Sequence, residues 1–506
     1  MSKIKSKSEL SKILQNLKKN KKKISLCHGV FDVVHYGHIL HFKSAKEIAD
    51  ILIVSVTKDK FIKKGFNRPL FAEVERLKFL NEINTIDYIY CCETESAEDS
   101  IDLIKPNFFI KGPDYKNNSD DATKKIYFEK KLVKKFGGQI KYTEDQKYSS
   151  SKIISDKNLL SINSDQLEYI KNIKKKFGYK YIKEEILKFK KTSILVIGEL
   201  IIDHYFFGDI IGKSGKEPHL VLKEDKDEMY LGGSGAIARH LSTFSKKIEV
   251  VSPFGKEKNY KKLFNEKLTK NIFYNFLKPY KNYSTIVKKR FIDKNSNYKF
   301  LGSYILPEKN GINFSKILIS KIKRFLNDSD MILICDYGHY FIDKRTSKFL
   351  SLTKKFKALN VQLNAASSGY HNLNNYKYID LLVINESELR RELKEEKLDL
   401  KYLAKIIISK NKIKNLIITQ GKLGASLYRI GVKPIFCPAF SKQAIDKVGA
   451  GDAMLSISSL ALKNKVNPEI ALFLGSIAAG ISVNTIGNKD CLNFDDLDRN
   501  IEFTLK

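Results

Sequence analysis

Several things are scarce in this chain of 506 residues, and each scarcity excludes something. No run approaches the roughly 18 consecutive apolar residues of a membrane span, so no membrane partner is expected. The opening stretch, Met1 to Lys23, is basic and amphipathic but lacks the apolar core of a signal peptide. Cysteine is rare. The six (Cys27, Cys91, Cys92, Cys335, Cys437 and Cys491) show no Cys-x-x-Cys spacing, which argues against structural zinc and for free thiols in a reducing cytoplasm. Acidic residues are also short: 57 Asp and Glu against 91 Lys and Arg leave a formal charge of +34. Such a balance raises nucleic acid as a partner. The lysines, however, are spread along the whole chain among Asn, Ile and Tyr, and no helix-turn-helix, paired-Cys finger or ribonucleoprotein signature accompanies them. The charge therefore reads as a solvated surface that attracts anionic substrates, and no nucleic-acid partner is expected.

The length itself calls for two domains or more. The first is organised around Ile24-Ser-Leu-Cys-His-Gly-Val-Phe-Asp-Val-Val-His-Tyr-Gly-His38. Ile24 to Cys27 reads as a buried strand, Gly29 permits a sharp exit through Val30 and Phe31, and His35 and His38 arrive as helical periodicity begins. A strand, a turn and a helix start make a phosphate site, because the first-turn N–H groups and the helix dipole face the anion. Two imidazoles three residues apart can donate hydrogen bonds to a triphosphate as its charge shifts.

Strand and helix then alternate. Residues 38–50 carry helical spacing and Ile51 to Val56 is a buried parallel strand; a helix follows at 72–83, a strand at 87–92 and a helix at 96–104. A strand at 108–111, a helix at 123–136 and a short strand at 139–143 complete the unit. The pattern predicts an α/β, Rossmann-like doubly wound sheet with ligands at the carboxyl ends of its strands. Candidate contacts at those ends are Lys63, Lys64, Arg68, Arg76, Lys111, Asp114 and the hydroxyl-rich helix start around Ser150 and Ser151.

Taken in order, Gly-Val-Phe-Asp-x-x-His-x-Gly-His, Arg-Pro, Glu-Arg, Lys-Gly-x-Asp-Tyr and the Ser-rich start resemble the cytidylyltransferase-like nucleotidyltransferases over residues 24–155. Within that family the resemblance is nearest to the adenylyltransferase half of ADP-heptose synthases, then to glycerol-3-phosphate cytidylyltransferases. It implies that His35 and His38 contact nucleotide phosphates and that Lys63 or Lys64 neutralises charge at the reacting phosphate. It makes Arg68 and Arg76 sugar or phosphate contacts, and it puts Lys111, Asp114, Ser150 and Ser151 around the nucleotide. The implied reaction is attack by a sugar-phosphate oxygen on the α-phosphorus of ATP or CTP, releasing pyrophosphate, with Mg2+ assisting and no covalent protein intermediate.

Residues 156–192 are rich in Lys, Asn and Ser and are expected to form a basic helical linker between a domain at 1–155 and another at 193–506. Ser193-Ile-Leu-Val-Ile-Gly198 restarts with a buried strand. Asp203 follows it, Gly232 and Gly233 open a helix, and Asn385-Glu-Ser-Glu388 follows the strand at 381–384. Farther on come Thr419-Gln-Gly421, Gly424 and Asp446-Lys-Val-Gly-Ala-Gly-Asp452. In the last stretch Gly449, Ala450 and Gly451 let successive N–H groups converge on a phosphate, and Asp452 at a helix start can take a proton from a hydroxyl.

These features resemble the ribokinase-like sugar kinases over residues 193–506. The resemblance implies that Asp203, Gly232 and Gly233 lie on the sugar side, and that Asn385 and Glu388 organise Mg2+ and ATP. Thr419, Gly421 and Gly424 then lie by the nucleotide. The chain departs from that family's pattern at Ala236 (usually Asn), His339 (usually Lys), Asn364-Ala-Ala366 (usually Asp-Pro-Lys) and Lys447 (usually Thr). Losing a polar partner at a sugar costs about 1–3 kcal/mol, so the departures predict a changed substrate or a loss of turnover. The pairing resembles the bifunctional ADP-heptose synthase family, in which the kinase comes first; here the order is reversed. A cytoplasmic homo-oligomer making a nucleotide sugar for surface polysaccharide is expected. The alternative is a polyol-phosphate cytidylyltransferase with an altered or inactive kinase domain.

Overall fold

The computed structural model of the chain describes residues 2–62, 69–112, 126–143, 164–255, 257, 260, 263–264, 270–277, 283–296, 298–307, 313–362, 373–441 and 445–505. Two compact units emerge, Met1–Asn163 and Ser164–Lys506.

The first unit runs β1 (Ile4–Lys5), α1 (Lys7–Lys19), β2 (Ile24–Gly29), α2 (Tyr36–Glu47), β3 (Ile51–Thr57) and α3 (Glu73–Asn81). It continues through β4 (Tyr88–Cys92), α4 (Glu98–Ile104), β5 (Phe108–Lys111), α5 (Ile126–Lys135) and β6 (Gln139–Tyr142). The strands form one parallel sheet in the order β1-β4-β3-β2-β5-β6. Because side chains alternate along a strand, β3 sends Leu52, Val54 and Val56 into one core and Ile53 into another. Helices therefore cover both faces, as the alternation predicts. The basic opening stretch contributes more than a helix. Ile4 and Lys5 pair with Ile89 and Tyr90 to add an edge strand, and Leu10 and Leu14 of α1 are buried. Strand order reverses at β2, with β3 on one side and β5 on the other, and the carboxyl end of such a switch strand is where ligands bind.

In the second unit, α6 (Ser164–Lys176) and α7 (Gly178–Leu187) precede β7 (Ser193–Gly198), β8 (Leu200–Lys213), β9 (Leu220–Gly233) and α8 (Ser234–Leu241). Then come β10 (Lys247–Pro253), β11 (Ile272–Leu277), β12 (Ile286–Asp293), β13 (Tyr298–Ile305), α9 (Ser315–Leu326), β14 (Met331–Asp336), α10 (Lys344–Leu352) and β15 (Phe356–Val361). The remainder is β16 (Leu381–Asn385), α11 (Glu386–Leu393), α12 (Leu400–Asn411), β17 (Asn415–Thr419), β18 (Ala425–Arg429), β19 (Val432–Cys437), α13 (Ala450–Lys463), α14 (Pro468–Ser482) and α15 (Phe494–Leu505). A nine-stranded sheet, β11-β10-β7-β14-β15-β16-β17-β18-β19, forms the body, and a four-stranded sheet, β13-β12-β8-β9, stands beside it as a lid. Body strands such as Met331–Asp336 are buried throughout, which matches the apolar run Met331–Cys335.

The stretch expected as a linker differs from that expectation from Ser164 onward. Its helices belong to the second unit because their polar side chains find partners there. Tyr179 donates to Asp498 at 2.9 Å, Lys176 pairs with Glu469 at 2.9 Å, and the Tyr169 ring lies 6.3 Å from that of Phe473. All six cysteines are free thiols. Among the described residues no helix is long and apolar enough to cross a membrane.

Candidate active sites

In the first unit the chain leaves β2 through Gly29 and turns at Phe31, whose φ of 51° is a left-handed value that few side chains adopt. The Phe31 ring is nearly buried, edge-on to His38 at 5.5 Å and packed on Phe42 at 5.3 Å. The rings of His35 and His38 lie 4.0 Å apart at the start of α2. The His35 N–H donates to Nδ1 of His38 at 3.2 Å, which fixes that ring over the first turn. Burial holds the His35 imidazole below its ordinary pKa. The two histidines thus stand together at the start of α2, the end where first-turn N–H groups point outward.

Arg76 differs from expectation. It is 1% exposed and its donors are spent inside the unit: on the Phe71 carbonyl at 3.1 Å, the Val30 carbonyl, the Thr57 carbonyl at 2.9 Å and Asp59 at 2.6 Å. It holds the loop after β2 to the end of β3 with four of the five N–H donors of its guanidinium. Asp32 does related work, accepting from the N–H groups of Leu70 and Phe71 at 2.7 and 3.0 Å. Lys111, expected by the nucleotide, is buried in an ion pair with Glu129 at 2.6 Å. A lysine sunk this far needs an anion beside it, and the sequence pattern does not reveal that partner on α5. Lys63, Lys64, Arg68, Asp114, Ser150 and Ser151 lie outside the described residues, as do Asn364 to Ala366.

In the second unit the predicted residues converge. One cleft of about 540 Å³ is lined by Asp203 and Gly233 on one side and Asn385, Glu388, Thr419, Gly421 and Gly424 on the other, with Gly449, Ala450, Gly451 and Asp452 between them. Gly449 caps α13 at φ 89°, a conformation that suits glycine. A Cβ there would come within 2.3 Å of the Asn488 amide oxygen. Gly232 lies outside the lining but is needed beside it, since a Cβ would meet Asp203 Oδ2 at 2.2 Å.

Asp452 lies between the two sides. Burial raises its pKa to about 7, with the Asp203 and Glu388 charges adding to the effect, while Tyr337 and Lys288 oppose it. A carboxylate with a pKa near neutral is matched to proton transfer. Asn385 and Glu388 form a capping box at α11. Asn385 Oδ1 accepts from the Glu388 N–H at 2.8 Å, and Glu388 accepts from the Asn385 N–H at 3.3 Å. Glu388 thus brings a single, nearly buried carboxylate to the cleft wall. One carboxylate plus substrate phosphates is a donor set that Mg2+ takes, so these residues fit that ion.

Sequence reasoning missed the cations and the supports. Lys288 and Arg290 are two apart on β12 and face the cleft together, and Arg290 pairs with Asp203 at 2.6 Å. Burial lowers the Lys288 pKa. Glu199 is fully buried and accepts from the N–H groups of Tyr337 and His339, each at 3.0 Å. Burial, and after it the charge of Asp336, push its pKa up. His339 is itself buried at 3% exposed, in contrast to a lysine reaching for substrate. Ala236 is fully buried in α8 and Lys447 is exposed on the cleft wall. The alternation along β12 was the one available signal for its cation pair.

The similarities of the chain divide in the same way. Residues 26–156 match the cytidylyltransferase-like family and residues 191–494 match the pfkB family carbohydrate kinases. The bifunctional protein HldE of Campylobacter fetus is 26% identical over 303 residues, which cover 59% of this chain and 64% of that protein. HldE of Campylobacter jejuni (serotype O:6) is 40% identical over 117 residues, 23% of this chain and 25% of that protein. The chain thus matches less than two thirds of the length of these relatives. The microbiome-derived acarbose kinase Mak1 shares the fold of the second unit at 12% identity, with a TM-score of 0.50 over 62% of this chain and all of that one. The body sheet with its lid, the glycine turn before Asp452 and the match over residues 191–494 lead to one assignment: the chain belongs to the pfkB family of carbohydrate kinases and carries a cytidylyltransferase-like domain ahead of it.

Proposed function

We propose that the chain is a bifunctional enzyme of nucleotide-sugar synthesis. The second unit phosphorylates a sugar from ATP. The first transfers a nucleotidyl group from ATP or CTP to a sugar phosphate resembling heptose 1-phosphate, with release of pyrophosphate. The product is an activated sugar for surface polysaccharide of the lipopolysaccharide kind. The kinase follows the nucleotidyltransferase, the reverse of the order in the ADP-heptose synthases it resembles, an order two autonomous domains can tolerate.

The observation that carries the proposal is the convergence of Asp452, the 449–451 amides and Asp203 on one cleft, in a chain whose other unit holds His35 against His38 at a helix start. In the second unit Asp452 takes the proton of a sugar hydroxyl as its oxygen attacks the γ-phosphorus and ADP departs. The amides of Gly449 to Gly451 take up the charge. Asn385 and Glu388 would hold Mg2+, which neutralises triphosphate charge when bound. In the first unit His35 and His38 donate to the phosphates as a sugar-phosphate oxygen attacks the α-phosphorus.

One observation favours a second reading. Asp203, the expected grip on the sugar, is already paired with Arg290, so a sugar hydroxyl has to compete for it. This supports an altered kinase substrate, or a polyol-phosphate cytidylyltransferase whose kinase unit no longer turns over. Pyrophosphate release with ATP or CTP against a panel of sugar and polyol phosphates, run beside ADP formation with free and phosphorylated sugars, separates the two. Turnover with ATP and a heptose 1-phosphate is the expected result. Turnover only with CTP and a polyol phosphate selects the second reading, and silence in both assays overturns both.

A further inference from the structure

Asp446 opens the turn that ends at Asp452, yet its carboxylate does not line the cleft. Its side chain is 3% exposed and is held by four donors. Two are backbone amides of the body: Val448 to Oδ1 at 3.0 Å and Gly487 to Oδ2 at 2.9 Å. The other two come from the lid. The Tyr205 hydroxyl on β8 donates to Oδ2 at 3.3 Å, and the Lys299 ammonium on β13 pairs with Oδ1. The Lys299 ammonium also lies 5.6 Å over the Tyr205 ring. Burial by itself would raise the Asp446 pKa, but Lys299 and the two amides bring it below its ordinary value.

The surroundings leave little slack. A Cβ on Gly487 would meet the Tyr205 hydroxyl at 2.7 Å, and one on Gly449 would meet Asn488 at 2.3 Å. Asn488 in turn reaches Asp203 at 3.5 Å. A displacement of Asp446 therefore reaches both the amides that face phosphate and the carboxylate on the sugar side. A buried carboxylate that loses its cation is left with an uncompensated charge, so separation of lid from body is opposed at this point.

We propose that the Lys299–Asp446 ion pair is a clasp through which the lid sheet sets the 446–452 turn for phosphoryl transfer, with Lys299 as a positioning residue. This rests on the reading of the second unit as a sugar kinase. The test uses the full chain carrying Lys299→Met, which keeps length and removes charge, beside Lys299→Arg. Amide hydrogen exchange at residues 446–452 without ligand is expected to speed up about tenfold in Lys299→Met. Phosphoryl transfer should lose roughly 10–100-fold in kcat with KM for ATP and sugar nearly unchanged, and Lys299→Arg should restore most of the rate. Unchanged exchange at 446–452 overturns the clasp, as does a loss that appears only in KM. If the parent phosphorylates no sugar, the kinase reading fails while the exchange measurement still decides the clasp. If Lys299→Met does not fold, Tyr205→Phe removes the other lid donor and is read by the same exchange.

Discussion

The Tyr337 hydroxyl donates to Oδ1 of Asp452 at 3.0 Å, while the Tyr337 N–H donates to the buried Glu199 at 3.0 Å. The proposed base is thus oriented by a residue whose own backbone is pinned by a second carboxylate. With a pKa raised to about 7, Asp452 accepts a proton only above that pH. The kcat/KM for phosphoryl transfer is therefore expected to climb through about pH 7. Tyr337→Phe removes a hydrogen bond that favours the carboxylate, and should move the inflection upward. A flat profile between pH 5 and 8 would contradict the assignment.

Asp452→Asn should lower phosphoryl transfer by about 10²–10⁴-fold and leave nucleotidyl transfer intact. Its effect on stability has a definite sign. Because the folded pKa lies above the ordinary 3.8, the charged form is penalised in the folded state, fully above about pH 7 and not at all below the ordinary value. The variant is expected to melt at higher temperature than the parent at pH 8, with the gain gone near pH 3.5. Melting curves at the two pH values check this.

His38→Ala removes a ring held by the His35 N–H over the first turn of α2. Pyrophosphate release should fall by roughly 10²–10³-fold while ADP formation by the second unit continues at the parent rate. Equal loss of both activities would show that the units do not work independently.

Arg76→Met is predicted to act through stability. It strips donors from the Phe71, Val30 and Thr57 carbonyls and from Asp59. Unsatisfied buried acceptors cost about 1–3 kcal/mol each. Denaturant unfolding followed in the first unit should lose several kcal/mol, with any activity loss tracking unfolding. A fully stable variant with only a raised nucleotide KM would return Arg76 to the phosphate contacts.

Gly232→Ala places a methyl 2.2 Å from Asp203 Oδ2. The carboxylate, whose Oδ1 pairs with Arg290, has to shift, and the KM for sugar should rise at least tenfold with KM for ATP little changed. A normal sugar KM would remove Asp203 from the sugar side.

The sequence by itself determined the order of strands and helices in the first unit from Ile24 onward, because apolar runs and helical periodicity report local burial directly. It also determined the glycine turn before Asp452, where backbone geometry restricts residue type, and the pairing of His35 with His38, which one helical turn brings together. What tertiary structure alone decided is where each charge finds its partner. By resemblance Arg76 reads as a phosphate or sugar contact and Lys111 as a residue of the nucleotide side, but the fold buries Arg76 among carbonyls and Lys111 against Glu129. The basic helices from Ser164 read as a linker by composition, and their place became legible only once Asp498 and Glu469 stood opposite them. Lys288, Arg290 and Lys299 looked like three more lysines and arginines of a basic surface, until strand pairing set them beside Asp203 and Asp446. Periodicity along the chain encodes which face is buried. Ion pairing depends on contacts between different elements, such as Lys111 with Glu129, Arg290 with Asp203 and Lys299 with Asp446, and no local pattern records those.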